Sequence, residues 1–505
     1  MEVPFKMYGD SRLNDYSSLK YGLTRSFFEG YSDLTYKGVE IPTTLIRVFH
    51  QYIKVYVDRN YQKKNNIVKH SMTDMKHVQH ALTRSPKVYK DLSLFPNRKT
   101  VVIPASLVSF ALENLKKESI ILMAINEEEE KMLNSLALPR NFQIYSYRKG
   151  ITSVRLPRKT VNVIRRKASR IHPKKEINTL FKRETFKYWL NKQIPVAVRI
   201  ITSLDRLVRK KMIKLFICPV EIINPWTTLG ILAKKYNLPF VNMPQVLISD
   251  RSLIPTRASH HFAWGRNYKQ WLVKRGVPAS SVLETGNLNF DNKYHSRSFM
   301  TAHQFADICP VSPDHKIFVF TSQPFTDQTN LHIINWIKRV EKENLPAHFL
   351  IRPHPYDHVD YSEFFSGSGN VSISNPRLGL YDLLHHSHFV MTVSSNTAIE
   401  GALMNNGIIV LQPDMDYHYE HHNNDFNSFL VKGNAGSVIQ SGESLLNVVE
   451  DILHNPVFER DLLEKAKKFV GETINLNVRP SRVIRSFIIN QINSRGEEHC
   501  LEKRS

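Results

Sequence analysis

Two stretches of this chain combine residue types and spacings suited to holding a phosphate-bearing ligand. The first is Ile351-Arg352-Pro353-His354-Pro355, which closes an apolar run at 348–352 that reads as a buried strand. Prolines on both sides of the histidine keep the backbone out of helix and fix where the imidazole points. A rigidly placed His354 beside Arg352 forms a grip for a nucleotide phosphate, with Pro355 as part of its frame. The competing reading is a strand-ending loop whose histidine satisfies local backbone. The second stretch runs from Phe389 to Ala402 and reads as strand, hydroxyl-rich turn, then helix. Ser394, Ser395 and Thr397 surround the start of that helix, where free N–H groups and the positive end of the dipole favour an anion. Glu400 falls one turn later, where a carboxylate can accept ribose hydroxyls. An N-cap at Ser395 or Thr397 with Glu400 as its capping partner is the alternative.

Three further places bear on chemistry. Thr321-Ser322-Gln323-Pro324 follows another apolar run and offers hydroxyls, Ser322 foremost, to a phosphate; a plain turn before a helix is the other reading. Group transfer to an acceptor hydroxyl needs a carboxylate or imidazole to take its proton. Glu221, directly after a strand, Asp250, and the pair His260-His261, with His261 preferred, are the candidates, each also readable as structural. The polar run from Asp414 to His422 contains a metal-like spacing at His418 and His422, but such spacings also occur in ordinary loops, and no metal is expected.

Alternating elements position these residues. Strands are expected at 100–104, 120–124, 142–147, 215–220 and 239–242, with helices between them. A second alternating set follows, with strands at 317–320, 348–352, 371–374, 389–393 and 407–411. Short apolar runs alternating with amphipathic stretches indicate βαβ units and parallel sheets. The expected class is therefore α/β, a pair of Rossmann-like domains facing a central cleft, with ligands beyond the carboxyl ends of the strands. The divisions are 1–95, an extension of unassigned role; 96–291, an acceptor domain with a basic helical insertion at 148–214; 292–490, a nucleotide-donor domain; and a tail, 491–505.

The chain has 505 residues, a net charge of +23 and 42% hydrophobic residues, the composition of a folded protein of two or three domains. Cys218, Cys309 and Cys500 have no CxxC spacing, which argues for a reducing compartment and against a thiolate metal site. No basic-then-apolar leader opens the sequence, and no apolar run is long enough for a membrane span. A cytoplasmic protein is expected. From 148 to 214, about twenty lysines and arginines face only Glu176, Glu184 and Asp205. Such a segment attracts polyanions, and the anionic membrane surface is preferred over nucleic acid, for which no zinc-finger, RNP or KH pattern is present.

The carboxyl half resembles the donor domain of bacterial GT-B glycosyltransferases of surface and capsular polysaccharide synthesis. Their relatives are the polysialic-acid and capsule transferases and the CDP-glycerol glycerophosphotransferases. The likeness rests on His354-Pro355, on Ser394-Ser395, on Glu400, and on Trp264-Gly265 and the stretch Thr285 to Asp291, and spans about 216–475. It implies a GT-B fold and a metal-independent, cofactor-free transferase. Its substrates would be a nucleotide-activated sugar or polyol-phosphate donor and a glycan or lipid-linked acceptor at the inner face of the membrane, with peripheral membrane association. It also implies that 414–422 borders the donor, in contact with base or ribose. Many relatives carry Gln-His-Gly after the strand matching 239–242; here the chain reads Asn242-Met243-Pro244-Gln245-Val246, so the resemblance assigns no catalytic base. Two other classes remain open at this point. One is an isomerase like the UDP-N-acetylglucosamine 2-epimerases, whose signature ending in Arg-Pro-Glu is not found. The other is a non-enzymatic nucleotide- or nucleic-acid-binding relative.

Overall fold

A computed structural model describes residues 11–63, 72–83, 88–171, 179–246, 248, 250–290, 298–309, 311–413 and 429–494. The chain forms two compact units. The first comprises Ser11–Ala263, Lys269–Thr285 and the chain from Val478; the second comprises Trp264–Tyr268 and Gly286–Asn477.

A small antiparallel hairpin, β1 (Thr35–Tyr36) and β2 (Val39–Glu40), precedes the first main sheet. That sheet has seven strands: β3 (Thr100–Pro104), β4 (Ile120–Ala124), β5 (Phe142–Ser146), β6 (Ile213–Cys218), β7 (Phe240–Asn242), β8 (His260–Ala263) and β9 (Val282–Glu284). Their spatial order is β5-β4-β3-β6-β7-β8-β9, and every pairing is parallel. β8 and β9 are strands that periodicity alone does not announce, because each is only three or four residues long. The helix Pro480–Asn493 also packs into this unit, against β6. Phe487 meets the rings of His260 and Phe262 at 5.0 Å, and Lys214 Nζ donates to Ser494 O at 3.0 Å. The chain therefore returns to its first unit, whereas the sequence assigns 292–490 wholly to the second.

The described part of 1–95 is not a separate appendage. Helices Asp15–Gly30 and Ile46–Asn60 join the basic segment through an aromatic cluster in which Phe27 stacks on Phe49 at 4.3 Å and Phe186 meets Phe181 edge-on at 5.0 Å. The basic segment itself forms helices Arg158–Arg170 and Glu184–Lys210. The second runs through Pro195. Proline leaves the carbonyl four residues back without its helical donor. Here that carbonyl belongs to Asn191, and Arg165 Nε from the neighbouring helix donates to it at 3.2 Å. A tertiary contact thus compensates for the missing donor.

The second sheet has six strands: β10 (Lys316–Thr321), β11 (Ala347–Arg352), β12 (Val371–Ile373), β13 (Phe389–Thr392), β14 (Gly407–Leu411) and β15 (Ser437–Ile439). Their order is β12-β11-β10-β13-β14-β15, again all parallel. Both faces are covered, so the strands read as continuous apolar runs. Phe318 stacks between Phe349 and Phe389 at 5.3 Å from each, on the face shared with helices Asp327–Glu341 and Gly442–His454. Val319 and Leu350 point the other way, toward Phe305, Leu378 and Leu383. The α/β class with two Rossmann-like parallel sheets is what the alternation predicts. Among the described residues, no helix is long and apolar enough to cross a membrane.

Candidate functional site

In the second sheet the chain winds outward from β10 to β12, then crosses back to place β13 on the other side of β10. At such a reversal the loops after the two central strands diverge and leave a crevice at their carboxyl ends, the usual ligand position of open α/β sheets. The sequence-predicted hydroxyls meet there. Thr321 ends β10 and is followed by Ser322 and Gln323; after β13 come Ser394, Ser395 and Thr397. Thr321 Oγ1 and Thr397 Oγ1 lie 2.8 Å apart. The Gln323 amide spans the crevice, its Oε1 accepting from the Ser394 N–H at 2.8 Å and its Nε2 donating to Ser394 Oγ at 3.3 Å. Ser395 Oγ accepts from the Thr397 N–H at 3.2 Å, capping the helix Thr397–Leu403 one residue earlier than a standard N-cap.

The loop after β11 joins the same edge. Ser322 Oγ accepts from the His354 N–H at 2.9 Å and donates to Asp357 Oδ2. Asp357 also takes the Tyr361 hydroxyl at 2.5 Å, so one carboxylate ties the His354 loop to the end of β10. His354 Nδ1 accepts from the Tyr356 N–H at 3.1 Å. In the neutral ring the proton therefore sits on Nε2, which is left as a donor. Pro355 is exposed beside it.

Two predicted members of the site point elsewhere. Arg352 directs Nη1 to Leu378 O at 3.0 Å and Ser374 Oγ at 3.3 Å, and burial lowers its pKa. It braces the chain after β12 in place of gripping a phosphate beside His354. Glu400 is buried, and its Oε1 takes the Tyr381 hydroxyl at 2.8 Å. Its carboxylate is drawn inward between two helices, not presented at the mouth of its own. The run Asp414–His422 lies outside the described residues.

The acid–base candidates in the first unit are closed into its interior. Asp250 and Arg275 form an ion pair through Nε–Oδ1, with Nη2 donating to Oδ2 at 3.2 Å; their side chains are 1% and 0% exposed. Glu221 accepts from the Thr256 hydroxyl at 2.6 Å, from the Asn242 amide at 3.3 Å and from the Arg257 N–H. Burial pushes its carboxyl above the usual range. The single proton of Thr256 is given to Glu221, so the Thr256 oxygen receives the N–H of His261 Nε2 at 2.9 Å. Burial, and then His260, lower the His261 imidazole to about 3. These groups tie the loops after β6 and before β8 together. Glu221, Asp250 and His261, the candidates for taking the acceptor's proton, are thus buried among partners inside the first unit.

Residues 249–458, a stretch containing all of β10–β15, match the family model of UDP-N-acetylglucosamine 2-epimerase. No curated protein matches the chain. Among solved structures, the MnaA–UDP co-structure from S. aureus is similar at 13% identity, aligning 78% of this chain and 97% of that one with a TM-score of 0.48. UDP-GlcNAc 2-epimerase from Neisseria meningitidis bound to UDP-GlcNAc gives 14% identity over 77% and 99%, with a TM-score of 0.47. A variant of the wall teichoic acid polymerase TagF gives 11% over 88% and 97%, with a TM-score of 0.45.

Sequence reasoning did not single out Gln323 or Asp357. Gln323 sits in a loop noted only for its hydroxyls, and Asp357 two residues beyond the His354-Pro355 frame. A polar residue with amide or carboxylate chemistry next to each motif was the available signal.

Proposed function

We propose that this chain is a glycosyltransferase that takes a sugar or polyol-phosphate from a nucleotide-activated donor and adds it to a surface or capsular polysaccharide. The observation that carries the reading is the hydrogen-bonded bridge across the strand-order reversal, Gln323 to Ser394 and Thr321 to Thr397, with His354 tied to the same edge through Ser322. The donor's phosphates lie against Ser394, Ser395 and Thr397, and the Nε2–H of His354 donates to a phosphate oxygen. Binding displaces the Gln323 amide from the Ser394 N–H. No cofactor or metal is required, because N–H groups, hydroxyls and the imidazole neutralise the leaving phosphates. The acceptor is a glycan or a lipid-linked glycan at the inner membrane face, which the basic segment 148–214 approaches through its charge.

A second reading, nucleotide-sugar 2-epimerisation, is favoured by the family-model match over 249–458. It uses the same nucleotide site, and the missing Arg-Pro-Glu signature speaks against it. A thermal-shift panel of CMP, CDP, UDP and GDP tests the site. At a hundredfold excess over Kd a ligand adds about 2.7 kcal/mol of stability. Ser394→Ala and His354→Ala should abolish the shift while the ligand-free protein stays folded. A shift unchanged in both variants refutes the site. Incubation with UDP-N-acetylglucosamine and no acceptor then separates the activities: appearance of the 2-epimer selects the isomerase, and its absence, with transfer once acceptor is supplied, selects the transferase.

A further inference from the structure

The segment before β3 exposes large apolar side chains on a rigid mount. Leu94 is 63% and Phe95 45% exposed, and Met212, just before β6, is 52% exposed. The two places are linked through the backbone: the Arg98 N–H donates to Phe95 O at 3.2 Å, and the N–H groups of Lys99 and Thr100 both donate to Met212 O, at 3.1 and 2.9 Å. The mount is held from beneath. Arg98 is buried and donates from Nη1 to Ile213 O at 3.1 Å and Val208 O at 3.3 Å. Leu92 is buried, with its N–H on Tyr236 O at 2.9 Å. Asp91, the one carboxylate of 88–99, is turned onto Asn237 Nδ2 at 2.6 Å and the Ser93 N–H at 2.9 Å. Asp91 and Arg98 are tied inward, and the apolar tips of Leu94 and Phe95 are left outside.

Lysines flank these residues along the chain. Lys99, Lys210 and Lys211 are exposed, and Lys90 Nζ lies 5.0 Å from the centre of the Phe95 ring. Cations at the end of the helix Glu184–Lys210 suit its dipole without any partner. The dipole does not account for Leu94, Phe95 and Met212 beside them. Apolar tips flanked by lysines fit the boundary between headgroups and acyl chains of an anionic bilayer, where the tips leave water and the ammonium groups meet lipid phosphates. A nucleic acid would use the charge but leave the aliphatic tips unburied.

We propose that Leu94, Phe95 and Met212, with the lysines that flank them, form the element that inserts into an anionic membrane surface. The inference rests on the membrane-facing reading above for its class of partner and narrows the contact from the whole basic segment to its end at 210–212 together with the loop before β3. Thr100 and Ile213 open β3 and β6 and are paired in register, so the patch lies at the amino-terminal edge of the first sheet and leaves its carboxyl edge clear.

Flotation of the full chain with vesicles of equal parts phosphatidylcholine and phosphatidylglycerol tests this. The wild type should float with these vesicles and not with phosphatidylcholine alone. Leu94→Ser combined with Phe95→Ser should lower the partition coefficient roughly a hundredfold, about tenfold for each apolar anchor lost. Because both side chains are exposed, that variant should melt with the wild type and keep its nucleotide-induced shift, which reports on the donor site separately. Arg166→Glu with Lys167→Glu, on the exposed face of Arg158–Arg170, is the comparison. If flotation survives the loop variant and is lost in the helix variant, the loop proposal is overturned while membrane association stands. Binding to RNA with no flotation in any form overturns both.

Discussion

At the scale of single residues, the difference between a reactive group and a fastened one is whether its hydrogen-bonding capacity is already used. Asp250 shows this: its carboxylate faces the Arg275 guanidinium where neither side chain reaches water. Asp250→Ala removes the carboxylate that balances the charge of the buried Arg275 guanidinium and should cost about 3–5 kcal/mol. A chemical-denaturation midpoint that falls accordingly fits the closed pair, whereas a catalytic acid would lose turnover with the midpoint intact. His354 is the opposite case, with Nδ1 occupied by the Tyr356 N–H and Nε2 left to donate. The types and places of His354, Ser394 and Ser395 were legible in the sequence, because prolines and hydroxyls at a strand end leave few local conformations. The inward turn of Arg352 and Glu400 was not, since Leu378 and Tyr381 come within reach only in the folded unit.

At the scale of elements, the crevice depends on how closely the helix Thr397–Leu403 lies on β13. Gly401 makes that approach possible: a Cβ there would stand 2.6 Å from Val390 Cγ2 and 3.3 Å from Val390 Cβ. Gly401→Ala should destabilise the protein by about 1–3 kcal/mol through overpacking. Pairing it with Val390→Ala should cost less than the sum of the two single changes, because the smaller side chain makes room. Strictly additive melting data would show that the helix is free to shift. The strands themselves were readable from apolar runs. Short β8, β9 and β15 were not, since a three- or four-residue strand is stabilised by its neighbours in the sheet more than by its own pattern.

For the whole molecule, the buried neutral histidines set a pH response. Burial lowers His261 to about 3 and, with His315 contributing, His348 to about 4, against an unfolded value of about 6.5. Below about 6.5 the unfolded chain takes up protons that the folded chain does not. Stability is therefore complete above that pH and falls on acidification, by at most about 1.4 kcal/mol per pH unit for each histidine. The loss levels off as pH passes the folded values. His348→Gln, whose amide reaches the place of Nε2 and can retain a hydrogen bond to Ser372, should flatten the dependence of melting temperature on pH between 6.5 and 4. An unchanged slope would place the acid sensitivity elsewhere.

The sequence by itself determined the alternation of buried strands and helices, the two parallel sheets, and the positions of the hydroxyl and His-Pro motifs at strand ends. Those properties follow from local periodicity and from the few conformations that proline and capping residues permit. Only the tertiary structure decided which strand ends became neighbours, which hydroxyl Gln323 holds from 71 residues away, and which charged groups were sealed inside. Strand order and side-chain direction arise from contacts between distant parts of the chain, and no local pattern encodes a partner that only folding brings near.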